Sequence, residues 1–168
     1  MKKSVKKLVF LAFAIVLILV AISLLLILIQ PRGQAYYRVE RVVDGDTIVL
    51  ENKQTVRYLG IDTPELHRPT IGAECGGLEA SAENQKLLAG KRIRLISDVT
   101  DRDSYGRLLR YVFTEDGTFV NYELIRGGYG QVFEMQPDHL LTKTFTQAQM
   151  DAKKDGIGLW KTCYNLTK

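Results

Sequence analysis

A run of 22 residues without a charged side chain, Leu8 to Ile29, divides this chain of 168 residues before any folding argument begins. Its only polar member is Ser23. A helix of that length spans the roughly 30 Å hydrocarbon core of a bilayer. Lys2, Lys3, Lys6 and Lys7 precede the run and no acidic residue does, so the positive-inside tendency keeps the N-terminus in the cytoplasm. The expected organisation is a basic tail (1–7), a transmembrane anchor (8–29), a linker (30–35) and one domain (36–168) outside the cytoplasmic membrane. The alternative is a secretory signal cleaved near Gly33-Gln34-Ala35, although signal cores usually run only about 7–15 residues. In both cases the domain is extracytoplasmic. No cysteine ends the run, which argues against a lipoprotein.

The overall charge of +4 belongs to the N-terminal segment. Residues 1–35 hold five of the 23 basic side chains and none of the 19 acidic ones, which leaves the domain 18 against 19, a net of −1. A broad basic field for duplex binding is thereby excluded. Phosphate recognition must come from individual arginines.

Cys75 and Cys163 lie 88 positions apart. Outside the cell a disulfide between them is chemically allowed, and two free thiols is the alternative reading. A zinc site is excluded by spacing: His67 and His139 are the only histidines, and no Cys or His stands two to five residues from a like partner.

From Tyr36 the texture is that of strands. Tyr37, Val39, Val42 and Val43 lead into an Asp44-Gly45 turn. Thr47 to Leu50 follows, then a turn at Glu51-Asn52-Lys53, then Thr55 to Ile61, giving three consecutive antiparallel strands. Residues 66–76 read as an exposed loop. Glu79 to Leu88 is helical in composition and Gly90 stops it. Arg92 to Ser97 and Leu108 to Phe113 read as strands. Asn121 is placed to cap a short helix ending at Gly127-Gly128. Pro137-Asp138 is expected to open a helix running to about Lys154, with Leu141, Phe145, Ala148 and Ala152 as its buried stripe. Five short strands with three helices predict an α+β fold built on a closed OB-type barrel.

Charged residues capable of chemistry fall in four clusters: Asp44-Gly45-Asp46-Thr47, Arg57, Asp62-Thr63-Pro64-Glu65 and Asp103-Ser104-Tyr105-Gly106-Arg107. Each alone reads as an ordinary turn or surface residue. Together they are different. Antiparallel pairing brings Asp46 and Asp62 close enough to share a hard cation, which prefers oxygen donors. Arg57 and Arg107 carry permanently charged forks suited to phosphate oxygens.

In these motifs and their order the chain resembles the staphylococcal nuclease family, from about Tyr36 to Trp160. That resemblance implies an OB-type barrel with three helices and a Ca2+-dependent nuclease acting on DNA and RNA, single-stranded or locally open. It implies metal ligation by Asp46, Asp62 and the Thr63 main-chain carbonyl. Arg57 and Arg107 match the phosphate-clamping arginines, Glu65 the carboxylate that activates or orients water, and Tyr105 a nucleotide contact. The implied products end in 3′-phosphates after cleavage at the 5′-oxygen. No obligate protein partner is implied, and the alternative from another class is a non-catalytic OB-type module that binds nucleic acid or protein. Two departures stand out. Ser104 occupies a position where the family often has Lys, and Phe133 and Met135 are the nearest counterparts of its nucleotide-contacting tyrosines.

Overall fold

The computed structural model describes residues 13, 15–23, 35–66 and 72–163. The chain divides into two compact units, Met1–Gln34 and Ala35–Lys168. In the first, residues 15–23 are helical, with Ile15, Leu17, Leu19 and Ile22 exposed. Among the described residues no helix is long and apolar enough to cross a membrane. Much of the expected span 8–29 lies outside the described residues, as does His67.

The second unit is a barrel with helices packed on it. Its strands are β1 (Tyr36–Val42), β2 (Thr47–Leu50), β3 (Thr55–Tyr58), β4 (Ile61–Asp62), β5 (Arg92–Ile96), β6 (Leu108–Thr114) and β7 (Gln131–Val132). Its helices are α1 (Gly77–Leu88), α2 (Val120–Arg126), α3 (Thr142–Lys154) and α4 (Leu159–Thr162). Five strands close in the order β1-β2-β3-β6-β5, with every pair antiparallel except β3 and β6, which run parallel. This is the expected five-stranded barrel, and closure leaves it no bare edge. The interior is apolar: Ile48, Val56, Tyr58, Ile93, Leu109, Val112, Leu124 and Phe145 are all essentially without solvent contact.

The third strand is interrupted. Thr55 to Ile61 breaks at Leu59-Gly60, and Ile61–Asp62 turns away to pair with β7. Gly60 makes the pivot at φ +77°, and a Cβ there would come within 2.5 Å of the Phe145 ring. A residue with a side chain would meet both a steric and a conformational penalty. The pivot aims Asp62 and the residues after it at the outside of the barrel wall.

Asn121 does not cap α2. Phe119 occupies the cap position, and Asn121 is fully buried in the first turn. Its Nδ2 donates to Leu59 O at 2.9 Å and its Oδ1 accepts from Val112 N at 2.9 Å. It thus satisfies backbone groups that the end of β3 would otherwise leave unpaired inside the protein.

The third helix starts at Thr142 rather than at Pro137-Asp138. Asp138 is buried, and its Oδ1 accepts from Thr100 N at 2.7 Å. Leu140 N donates to Asp98 Oδ2 at 3.0 Å. These contacts tie residues 138–140 to the segment after β5 and delay the helix. The stripe Phe145, Ala148 and Ala152 is buried as its spacing requires. A single-turn fourth helix, α4, follows and buries Leu159 and Trp160. The Lys153 ammonium sits 4.3 Å from the Trp160 ring centre.

Candidate active site

Asp46 is the buried acid of the site, at 4% exposure. The β2–β3 register pairs Thr47 with Arg57, and Tyr58 N donates to Asp46 O at 2.9 Å. Asp46 is thereby fixed beside the third strand. Oδ2 accepts from Thr63 N at 2.8 Å and from Thr63 Oγ1 at 3.1 Å. Oδ1 accepts from Thr47 Oγ1 at 3.1 Å and lies 3.2 Å from Arg57 Nε. Burial nevertheless pushes the Asp46 carboxyl up to about 7, against the pull of Arg57. Asp44 and Asp62 add to the rise, and the Thr63 N–H opposes it. The ion pair and the raised value look contradictory. They are reconciled by desolvation, which penalises the charge more than one guanidinium, shared with a second carboxylate, restores.

Arg57 is that shared guanidinium, at 7% exposure. Nη1 donates to Tyr58 O at 2.9 Å and Ile61 O at 2.7 Å, while Nη2 donates to Asp62 Oδ1 at 2.8 Å. The two carbonyls belong to the stretch around the Gly60 pivot. One side chain therefore fixes the bend and holds Asp46 and Asp62 on a common point.

Gly45 makes the turn fit. A Cβ there would lie 2.6 Å from Thr63 Oγ1 and 2.8 Å from Ala80 Cβ, so only glycine permits this approach. Asp44 Oδ1 accepts from Asp46 N at 3.0 Å and closes the turn locally.

Glu65 is exposed, three residues beyond Asp62. Partial desolvation raises its pKa, as do the Asp44 and Asp62 carboxylates, against the pull of Arg57. Its backbone is gripped by Glu74: Glu65 N donates to Glu74 Oε2 at 2.9 Å, and Glu74 N donates to Glu65 O at 2.9 Å. Next to Glu74, Cys75 is disulfide-bonded to Cys163, with the two Cα atoms 5.9 Å apart. A cleft of about 380 Å³ opens here, lined by Asp62, Thr63, Pro64, Glu74, Gln131 and the disulfide.

Arg107 and Tyr105 stand apart from this cluster, on a second centre organised by Asp103. Asp103 Oδ2 accepts from Arg107 Nε at 2.6 Å, and Oδ1 accepts from Tyr105 N at 3.0 Å and Arg107 N at 2.9 Å. Desolvation works to raise the Asp103 pKa, but these bonds outweigh it and hold it below its ordinary value. Tyr105 is 84% exposed, and the Arg107 guanidinium lies 5.5 Å from its ring centre. Strand register relates the two centres. Arg57 pairs with Leu109 across β3 and β6, and Arg107 stands two residues before Leu109, in the turn that leads into β6. No ion pair or hydrogen bond joins Arg107 to the Asp46 cluster among the described residues.

The donors suit a hard cation. Asp46, Asp62 and the Thr63 carbonyl offer only oxygens, and water completes such a shell for calcium. Burial raises the pKa values of Asp46 and Glu65, and the neighbouring carboxylates add to the rise. Among the described residues no group of three His, Cys, Asp or Glu side chains is arranged to hold a metal.

Several contributors lie outside the motifs. Asn84, fully buried on α1, accepts from Tyr58 Oη at 2.9 Å and donates to Asp44 O at 3.1 Å, which ties the acidic turn to the helix. Glu74 and Asp103 work through Glu65 and Arg107. An Asn in the middle of an apolar helix face was the one available signal for Asn84; Glu74 carried none. Phe133 is 47% exposed and its N donates to Gly60 O at 3.1 Å, while Met135 packs partly against the core.

Comparison with known proteins agrees with this geometry. The family described as Staphylococcal nuclease homologue matches residues 55–162, more than half of the chain. The thermonuclease of Staphylococcus intermedius is 35% identical over 133 residues, covering 77% of this chain and 78% of its own length. That of Staphylococcus hyicus is 34% identical over 127 residues, covering 74% and 75%. Endonuclease YncB of Bacillus subtilis (strain 168) is 38% identical over 126 residues, covering 72% of this chain and 59% of its own length. A barrel of this strand order, a buried Asp46-Arg57 pair that reaches the half-exposed Asp62 and these matches lead to one conclusion: the chain belongs to the staphylococcal nuclease family.

Proposed function

We propose that this protein is a calcium-dependent nuclease that hydrolyses DNA and RNA outside the cytoplasmic membrane. Arg57 joining the buried Asp46 to the half-exposed Asp62, beside the exposed Glu65, is the observation that carries this reading. Family membership supports the reaction class.

Asp46, Asp62 and the Thr63 carbonyl would hold the ion. Bound there, calcium supplies Lewis-acid polarisation of a phosphodiester oxygen and neutralises charge. Arg57 and Arg107 donate to the non-bridging oxygens and stabilise the charge that grows in the transition state. Glu65 accepts a proton from, or orients, the attacking water. The water oxygen bonds to phosphorus and the bond to the 5′-oxygen breaks, leaving a 3′-phosphate and a 5′-hydroxyl. Tyr105 offers a ring on which a base stacks, a contact that tolerates any sequence.

Residues 8–29 hold the protein at the cytoplasmic membrane with the nuclease domain outside, or direct its secretion. The lysines before the run support the orientation, and the Cys75–Cys163 disulfide fits an oxidising compartment. The deciding experiment incubates the protein with single-stranded DNA and RNA, with calcium or with chelator. Calcium-dependent products ending in 3′-phosphate are expected. Binding of oligonucleotide without cleavage would instead assign the domain to the non-catalytic OB modules.

A further inference from the structure

We infer that Glu74, held in place by the Cys75–Cys163 disulfide, is the positioning residue for Glu65; this rests on the role of Glu65 proposed above. Glu65 is exposed, and an exposed carboxylate needs an external brace to stay aimed at a reacting water. The brace is the reciprocal pair across the mouth of the intervening loop. Glu65 N donates to the Glu74 side chain, and Glu74 N donates to Glu65 O, both at 2.9 Å. Two such bonds fix both the distance and the direction of the Glu65 backbone.

Glu74 is itself anchored on both sides. Its carbonyl accepts from Gly77 N at 2.9 Å, which locks it to the start of α1. A Cβ on Gly77 would come within 2.6 Å of Glu65 O, so the helix start and the segment that carries Glu65 are in contact. Cys75 bonds to Cys163 at the end of α4. That helix is seated on the domain through Leu159 N, which donates to Gly128 O at 2.8 Å, and through Leu159 against Gly76. The disulfide thus transmits the position of a rigid C-terminal helix to Glu74, and Glu74 transmits it to Glu65. Glu74, Cys75, Leu159 and Cys163 line the cleft beside Asp62 and Thr63.

The test compares the full chain in detergent with Glu74→Ala, Glu74→Gln, Glu65→Gln and the double variant Cys75→Ser/Cys163→Ser, measuring kcat, KM and Tm with calcium saturating. Misplacing a reacting group by an ångström costs up to about 100-fold in rate, so Glu74→Ala is expected to lower kcat at least about tenfold with KM and Tm little changed. Glu74→Gln keeps an acceptor for Glu65 N and is expected to restore most of that loss. The double cysteine variant is expected to lower kcat in the same way at temperatures where it remains folded. Glu74→Ala with wild-type kcat, or a loss matched by a fall in Tm, overturns the inference. A Glu65→Gln protein with undiminished kcat instead overturns the assigned role of Glu65, whatever Glu74 does.

Discussion

Arg57 Nε lies 3.2 Å from Asp46 Oδ1 in a site where both side chains are more than nine-tenths shielded from water. The same guanidinium reaches Asp62 at 2.8 Å, so one cation holds two acids that would otherwise repel each other. Removing it leaves Asp46 buried without its counter-charge. Arg57→Met is expected to destabilise the protein by about 3–5 kcal/mol, the usual cost of breaking a buried pair from one side. Urea unfolding with chelator present measures it, and a change under about 1 kcal/mol would show that the pair is solvated in solution.

Stability should depend on pH through Asp46. Its folded pKa is raised from the ordinary 3.8 to about 7, so the native state holds the proton more tightly than the unfolded chain. The contribution is therefore complete below the unfolded value and is lost as pH climbs through the folded one. Without calcium, stability should fall by a few kcal/mol between about pH 4 and pH 7. Asp46→Asn should flatten that slope, and the two proteins differing by a constant amount across the range would refute the assignment. Calcium, which binds the carboxylate, should stabilise the wild type more at pH 8 than at pH 5.

Arg107 should behave oppositely to Arg57. Its partner Asp103 is local, and its side chain is one-third exposed, so the ion pair is worth about 1 kcal/mol or less. Arg107→Ala should leave the unfolding midpoint nearly unchanged and cut turnover by about 100-fold or more, as loss of a transition-state donor does. Equal losses in folding and activity would mean that the arginine is structural.

Calcium affinity separates the carboxylates. Asp46→Asn removes a buried ligand and should weaken calcium binding far more than Glu65→Gln does. Calorimetric titration decides, and the reverse ranking would exchange the two roles.

Joining residues 88 apart removes a long loop from the unfolded chain. On the chain-entropy argument Cys75→Ser/Cys163→Ser should cost about 4–5 kcal/mol. A loss below about 1 kcal/mol in thermal unfolding would show that the reduced ends stay associated without the bond.

The barrel was readable because its signals are local. Alternating apolar residues, Asp44-Gly45 and the turn at Glu51-Asn52-Lys53 give β1 to β3 directly. Helix boundaries were less legible. Asp138 looks like a helix start, yet its carboxylate is taken by Thr100, 38 residues away in the chain. Asn121 looks like a cap, yet its amide is spent on Leu59, 62 residues away. A polar side chain near a helix start has two possible partners, the helix's own amides or buried backbone elsewhere, and only packing selects between them.

For the site, the sequence by itself determined the chemical inventory: two aspartates, a glutamate and two arginines, in the order on which the family resemblance rests. It also determined that the domain has no broad basic field, because its net charge is −1. Tertiary structure decided how these residues are coupled. Arg57 became the buried hub because the Gly60 pivot turns Ile61 O and Asp62 toward it, whereas Arg107 pairs with Asp103 on a separate turn. Glu74 and Asn84 entered the site, and Cys75 found Cys163, through contacts between elements far apart in the chain. Side-chain identity fixes what a residue can donate, accept or charge, and spacing fixes its near neighbours. Long-range contacts depend on how the barrel closes and where the helices dock on it, which no local pattern specifies.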